Sequence, residues 1–157
     1  MTDYYQECLQ KGLEYQDFVF TQLRSMDGMP IFLGAYASEK YQYKKGESLS
    51  GLEIKFDNKL HETGNLFVEY KEKTAPSNEI FVPSGIMRND NTWLYLIGDY
   101  EQAFIFARNT LREYCSTHDE KLEKRLSSTK TSWGYLLPVK QVKKNKYLLA
   151  KHILFGK

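Results

Sequence analysis

The chain has little that would staple it together. Only two of its 157 residues are cysteine and four are proline. Cys8 and Cys115 stand far apart, with no CxxC and no zinc-ligand spacing, which excludes a disulfide scaffold and a zinc module and favours a reducing compartment. Both read as packing residues. No apolar run approaches the roughly 18 residues of a membrane span. The opening MTDYYQECLQ lacks a basic segment followed by an apolar one, so neither a membrane anchor nor a secretory leader is expected, and a cytoplasmic location is. Charge of one sign is lacking too. With 22 Lys and Arg against 20 Asp and Glu, the net charge is +2. A global electrostatic case for nucleic-acid binding is thereby excluded, and local patches must carry any such role. No internal repeat, low-complexity tract or linker divides the chain, so residues 1–157 read as one domain, large enough to build a core unaided.

A 41% hydrophobic and 15% aromatic content, with 12 tyrosines, marks a chain that folds rather than a disordered one. Residues 3 to 26 read as a helix, because Tyr15, Phe18, Val19, Gln22, Leu23 and Met26 keep the three-and-four spacing of a buried stripe. Gly12 is placed to weaken its first half. IFLGAY after Pro30 reads as a strand, and Tyr41 to Tyr43 as a further extended piece. Trp93 to Ile97 and Ala103 to Ala107 read as a hairpin turning at Gly98-Asp99, followed by a helix from Asn109 or Thr110. The charged run HDEKLEKRLSSTK, 118–130, extends that helix before a Ser/Thr-rich loop. Gly134 to Val139 forms a late strand. The tail from Lys140 onward holds six lysines and no acid.

The informative stretch runs from Gly46 to Lys71. In LEIKFD, alternation sets Leu52, Ile54 and Phe56 on one face and Glu53, Lys55 and Asp57 on the other. NLFVEYK repeats the pattern, with Leu66, Val68 and Tyr70 opposed to Glu69 and Lys71. The polar NKLHETG between them predicts an antiparallel hairpin over 52–71. Ser48 to Gly51 reads as a turn bringing Glu47 across from Glu53. Ser84-Gly85-Ile86 reads as a turn able to offer backbone N–H groups to an anion.

Crowded carboxylates repel one another and lose solvation, so they call for a cation, and oxygen-only ligands suit Mg²⁺ or Mn²⁺. A lysine beside them orients water and stabilises negative charge developing on a phosphate. Glu53-Ile54-Lys55 in an apolar strand, after an acid and a leading helix, resembles the (D/E)xK element of the PD-(D/E)xK, restriction-endonuclease-like nucleases. The longer string GLEIKFD, TGNLFVEYKEK, PSGI and NTWLYLIGD resembles a group of small phage and bacterial nuclease-like proteins. The resemblance spans about residues 12 to 140.

It implies an α/β (α+β) fold with a central mixed β-sheet flanked by helices, and divalent-metal-dependent cleavage of DNA phosphodiesters, by a homodimer where both strands are cut. Glu53 becomes a metal ligand and Lys55 the catalytic lysine. Glu47 is the candidate upstream acid, although its separation from Glu53 is short. Gln16 stands where relatives carry an acid on the first helix, and Glu14 is the alternative there. A second register takes Asp57 as the upstream acid and Glu69-Tyr70-Lys71 as the ExK element. In the first register Asp57 and Glu69 are additional ligands. The candidate metal ligands are therefore Glu47, Glu53, Asp57 and Glu69. Two other readings stand beside this one: a catalytically silent member that binds nucleic acid or protein, and an exposed sheet face laced with ordinary ion pairs. His61, His118 and His152 lack ligand spacing, and Ser84 has no base partner in any motif.

Overall fold

A computed structural model describes residues 3–25 and 51–156. The expected strand IFLGAY, the extended piece at 41–43, the turn at 48–50 and the candidate ligand Glu47 lie outside the described residues. Helix α1 spans Asp3–Ser25 without a break at Gly12. Tyr15, Val19 and Leu23, one per turn along a single stripe, are its fully buried positions. Tyr4, Leu9 and Leu13 in the first half are exposed.

From Leu52 onward the chain builds two sheets of four strands. The first has the order β1 (Leu52–Phe56), β4 (Leu94–Gly98), β5 (Gln102–Ala107), β8 (Lys151–Leu154). It is mixed: β1 runs parallel to β4, while β4–β5 and β5–β8 are antiparallel. The second has the order β3 (Val82–Pro83), β2 (Asn65–Glu72), β7 (Ser132–Pro138), β6 (Lys124–Leu126), all antiparallel. A short helix α2 (Leu60–Thr63) joins β1 to β2, α3 (Arg108–Thr117) follows β5, and α4 (Val139–Lys144) follows β7.

The α+β class with a mixed sheet is the one expected, with a second sheet in addition. One face of the first sheet, through Leu52, Ile54, Leu96, Ala103 and Ile105, packs on Tyr15, Val19 and Leu23 of α1. Its other face, through Tyr95, Ile97, Phe104 and Phe106, packs on Leu66, Val68, Tyr135 and Leu137 of the second sheet and on Leu111, Cys115 and Val142 of α3 and α4. Both sides of the first sheet are therefore core. Burial raises the Cys115 thiol to about 12, so the thiol stays protonated and inert, as a packing residue should.

Two expectations need correction. The hairpin over 52–71 does not form, because β1 and β2 belong to different sheets. Asp57 ends β1, α2 buries Leu60, and Gly64 leaves the helix at φ 64, a left-handed value suited to glycine. This excursion carries the chain out of the first sheet before β2 begins. The helix after β5 also stops at Thr117 instead of continuing through 118–130. The Thr117 hydroxyl donates to the Glu113 and Tyr114 carbonyls at 2.9 and 3.1 Å, and His118 Nδ1 lies 2.9 Å from the Tyr114 carbonyl. The side chains thus occupy the end of the helical ladder. The expected β4–β5 hairpin is present, its turn held by Asp99 Oδ1, which accepts from the backbone N–H groups of Glu101 and Gln102 at 2.9 Å each.

Candidate functional site

Strand β1 sets Glu53 beside Tyr95 and Lys55 beside Ile97 in the register with β4, so both point to the same face. Glu53 is 1% exposed. Its Oε1 lies 2.9 Å from Lys55 Nζ, close enough for an ion pair. The pair is out of hydrogen-bond alignment, and among the described residues neither carboxylate oxygen of Glu53 has a hydrogen-bond partner. A buried carboxylate normally collects several donors, since leaving one without them costs free energy on the order of kilocalories per mole. Glu53 is the exception on this strand. Lys55 is 28% exposed at its side chain. It opens onto a cavity of about 340 Å³ between α1 and β1, lined also by Cys8, Gly12, Gln16, Phe56 and Asn58. Gln16 is buried and faces this space, whereas Glu14 is exposed on the helix.

Asp57, next on that face, is engaged differently. Its Oδ2 accepts from the Phe67 N–H at 2.8 Å and its Oδ1 from the Lys59 N–H at 3.1 Å. The carboxylate therefore ties the end of β1 to β2. Burial raises its pKa above the ordinary value, the backbone donors of Phe67, Lys59 and Leu60 oppose, and the neighbouring Asp99 charge pushes upward.

The second ExK element, on β2, is arranged otherwise. A β-bulge interrupts the ladder at Tyr70: Glu69 pairs with Gly134, but Lys71 pairs with Trp133. Consecutive residues on β7 face opposite sides, so the bulge turns Lys71 away from the Glu69 face. Glu69 Oε1 accepts the hydroxyl of the buried Ser84. Lys71 Nζ sits among the rings of Tyr70, Phe81 and Trp133 at 5.5, 5.3 and 5.6 Å. These are cation–π distances. Glu69 and Lys71 make no ion pair with each other among the described residues.

The turn Ser84-Gly85-Ile86 is a 3₁₀ turn (Gly85–Met87 with Ser84 ahead of it) packed on β2. Ser84 N–H donates to the Tyr70 carbonyl at 3.1 Å, and Gly85 at φ 51 lies so close that a Cβ there would sit 2.3 Å from the Glu69 carbonyl oxygen. The turn holds Glu69 in place. Arg88 closes the cluster, its Nη2 donating to Glu72 Oε1 at 2.8 Å. Sequence reasoning missed the Ser84–Glu69 hydrogen bond because 15 residues separate the partners, and the only signal was their shared neighbourhood in the string ending PSGI. It also missed the buried Arg108–Asp90 ion pair at 2.8 Å, which fixes the loop before β4 to the start of α3.

The structure thus brings Glu53 and Lys55 together, uses Asp57 and Glu69 in separate internal hydrogen bonds, and turns Lys71 toward aromatic rings. Among the described residues no three His, Cys, Asp or Glu side chains are grouped to hold a metal ion. No described helix is long and apolar enough to cross a membrane. No family model matches the chain, and no curated protein or solved structure shows significant similarity to it.

Proposed function

We propose that the chain is a cytoplasmic, divalent-metal-dependent DNA endonuclease of the PD-(D/E)xK kind, working through Glu53 and Lys55. The observation that carries this reading is the Glu53 carboxylate, buried with both oxygens lacking hydrogen-bond donors among the described residues and with a lysine 2.9 Å away that opens onto a cavity. Such a carboxylate fits a cation ligand, because coordination supplies what the fold withholds. Glu53 would hold Mg²⁺ or Mn²⁺, with Glu47 the partner acid that the sequence offers. The ion, when bound, polarises a phosphate and makes bound water more acidic.

Lys55 does the rest that this chain supplies. Its ammonium donates to a non-bridging phosphate oxygen and to the incoming water, and stabilises the negative charge that builds as the water oxygen bonds to phosphorus. The P–O ester bond breaks on the far side, and the proton lost by water ends on the leaving oxygen. Gln16, buried and lining the same cavity as Lys55, is the side chain we assign to orienting that water.

The test is plasmid and branched-DNA cleavage with Mg²⁺ or Mn²⁺. Glu53→Ala and Lys55→Ala should each lower the rate by about 10² to 10³-fold, while Glu69→Ala retains most of it. A folded wild type that cuts no DNA form sinks the proposal. A second reading, a scaffold that binds DNA without turnover, is favoured by one observation, the lack of a three-acid group among the described residues. It predicts salt-sensitive binding and no cleavage.

A further inference from the structure

A larger cleft, of about 970 Å³, lies between α3 and the segment from α4 to Tyr147. None of its lining residues borders the cavity at Lys55. Its walls carry Lys140, Lys144 and Lys146 on one side and Tyr114 and His118 on the other, their rings stacked at 4.4 Å. Glu113 is the acid that also lines it. No ion pair among the described residues involves any of the three lysines. Three cations facing one cleft repel each other and await an anion.

Tyr147 at the mouth is 85% exposed. Its backbone N–H donates to Asn145 Oδ1 at 2.9 Å, and Asn145 N–H in turn donates to the Gln141 carbonyl at 2.9 Å, so the chain carrying the ring is tied to the end of α4. Two residues on, Leu149 is 79% exposed and holds φ 46. The segment offers solvent an exposed ring beside a row of cations.

We infer that this cleft is a binding site for single-stranded DNA, with Lys140, Lys144 and Lys146 against phosphates and Tyr147 under a base. Cations alone would equally suit an acidic peptide. The exposed ring beside them favours a nucleic acid, whose every base presents a face for stacking, and a single strand, whose bases are free to stack. The choice of DNA over RNA rests on the proposed nuclease reading. The site then holds an unpaired strand while a junction or flap is presented elsewhere.

The test is fluorescence anisotropy with a labelled oligo(dT) of about 12 nucleotides, in EDTA so that cleavage plays no part. Duplex DNA of equal length and oligouridine are compared, polyglutamate is added as competitor, and salt is varied. Tyr147→Ala should weaken oligo(dT) binding roughly tenfold. Lys144→Glu/Lys146→Glu should weaken it more and make the salt dependence shallower, by about 0.7 in the log–log slope for each phosphate no longer neutralised. Glu62→Gln, outside the cleft lining and the Lys55 cavity, should bind as wild type. Tighter binding of duplex or oligouridine, displacement by polyglutamate at equal charge, or indifference to Tyr147→Ala each overturns the inference. Wild type that binds oligo(dT) in this way without ever cutting DNA leaves the cleft standing and removes only the nuclease reading.

Discussion

The chain contains the tripeptide pattern Glu-x-Lys twice, and the fold treats the two copies differently. On β1 the regular ladder keeps Glu53 and Lys55 on one face, buries the acid and leaves its oxygens without hydrogen-bond donors among the described residues. On β2 the bulge at Tyr70 separates Glu69 from Lys71, a serine hydroxyl satisfies the acid, and aromatic rings surround the lysine. The residues are alike, so the difference lies in backbone register and neighbours. A satisfied carboxylate is part of the framework. One short of hydrogen-bond donors, whose lysine neighbour opens onto a cavity, is available for chemistry.

The contrast can be broken most forcefully at Lys55. Lys55→Met removes the cation from beside the Glu53 carboxylate and should cost about 3 to 5 kcal/mol at neutral pH, as for other broken buried pairs. Adding Glu53→Gln should restore most of that loss, because the uncompensated charge is then gone. Urea denaturation of the two single variants and the double variant reads this directly. If Lys55→Met costs nothing, Glu53 is not dependent on its neighbour.

Gly85→Ala attacks the other copy. A Cβ at Gly85 would meet the Glu69 carbonyl oxygen at 2.3 Å, and φ 51 is already unfavourable for alanine. The loss should be about 1 to 3 kcal/mol or more. Its effect on metal binding should be small, since the turn serves β2 and not β1. Thermal denaturation with and without Mn²⁺ separates the two effects.

Asp57, which ties the two copies together, gives a smaller and pH-dependent effect. Burial raises its folded-state pKa above the unfolded value of about 3.8. The folded protein then binds the proton more tightly than the unfolded chain, so protonation favours folding. The Asp57 contribution to stability should therefore improve as pH falls through the raised folded value toward 3.8. Compared with Asp57→Asn, wild type should gain relative stability over that descent, by about 1.4 kcal/mol for each pH unit separating the folded from the unfolded pKa. Urea midpoints for both proteins across the acid range check it, and a difference that stays flat with pH contradicts it. Lys71→Met should matter least, within about 1 kcal/mol, the scale of an exposed cation–π interaction.

Much of the frame was legible in sequence. The Tyr15, Val19, Leu23 stripe marked α1, and WLYLIGD followed by β-prone FIF marked a hairpin because Asp99 supplies its own turn hydrogen bonds. Alternation alone set Glu53 and Lys55 on one face. What alternation does not encode is which strand lies next door. NKLHETG looked like a hairpin connection, yet β1 pairs in parallel with β4, nearly 40 residues on, across a crossover. The bulge at Tyr70 was equally hidden, since it depends on the opposing Trp133 and Gly134. The second sheet on the far face of the first was hidden too, so alternation alone could not separate a buried Glu53 from an exposed, ion-paired sheet face.

Calorimetric titration of Mn²⁺ into wild type, Glu53→Gln and Glu69→Gln tests the difference between the two copies most directly. Wild type and Glu69→Gln should bind the ion with similar affinity, and Glu53→Gln should lose binding. Binding that survives Glu53→Gln but disappears with Glu69→Gln would place the working acid on β2 and contradict the account.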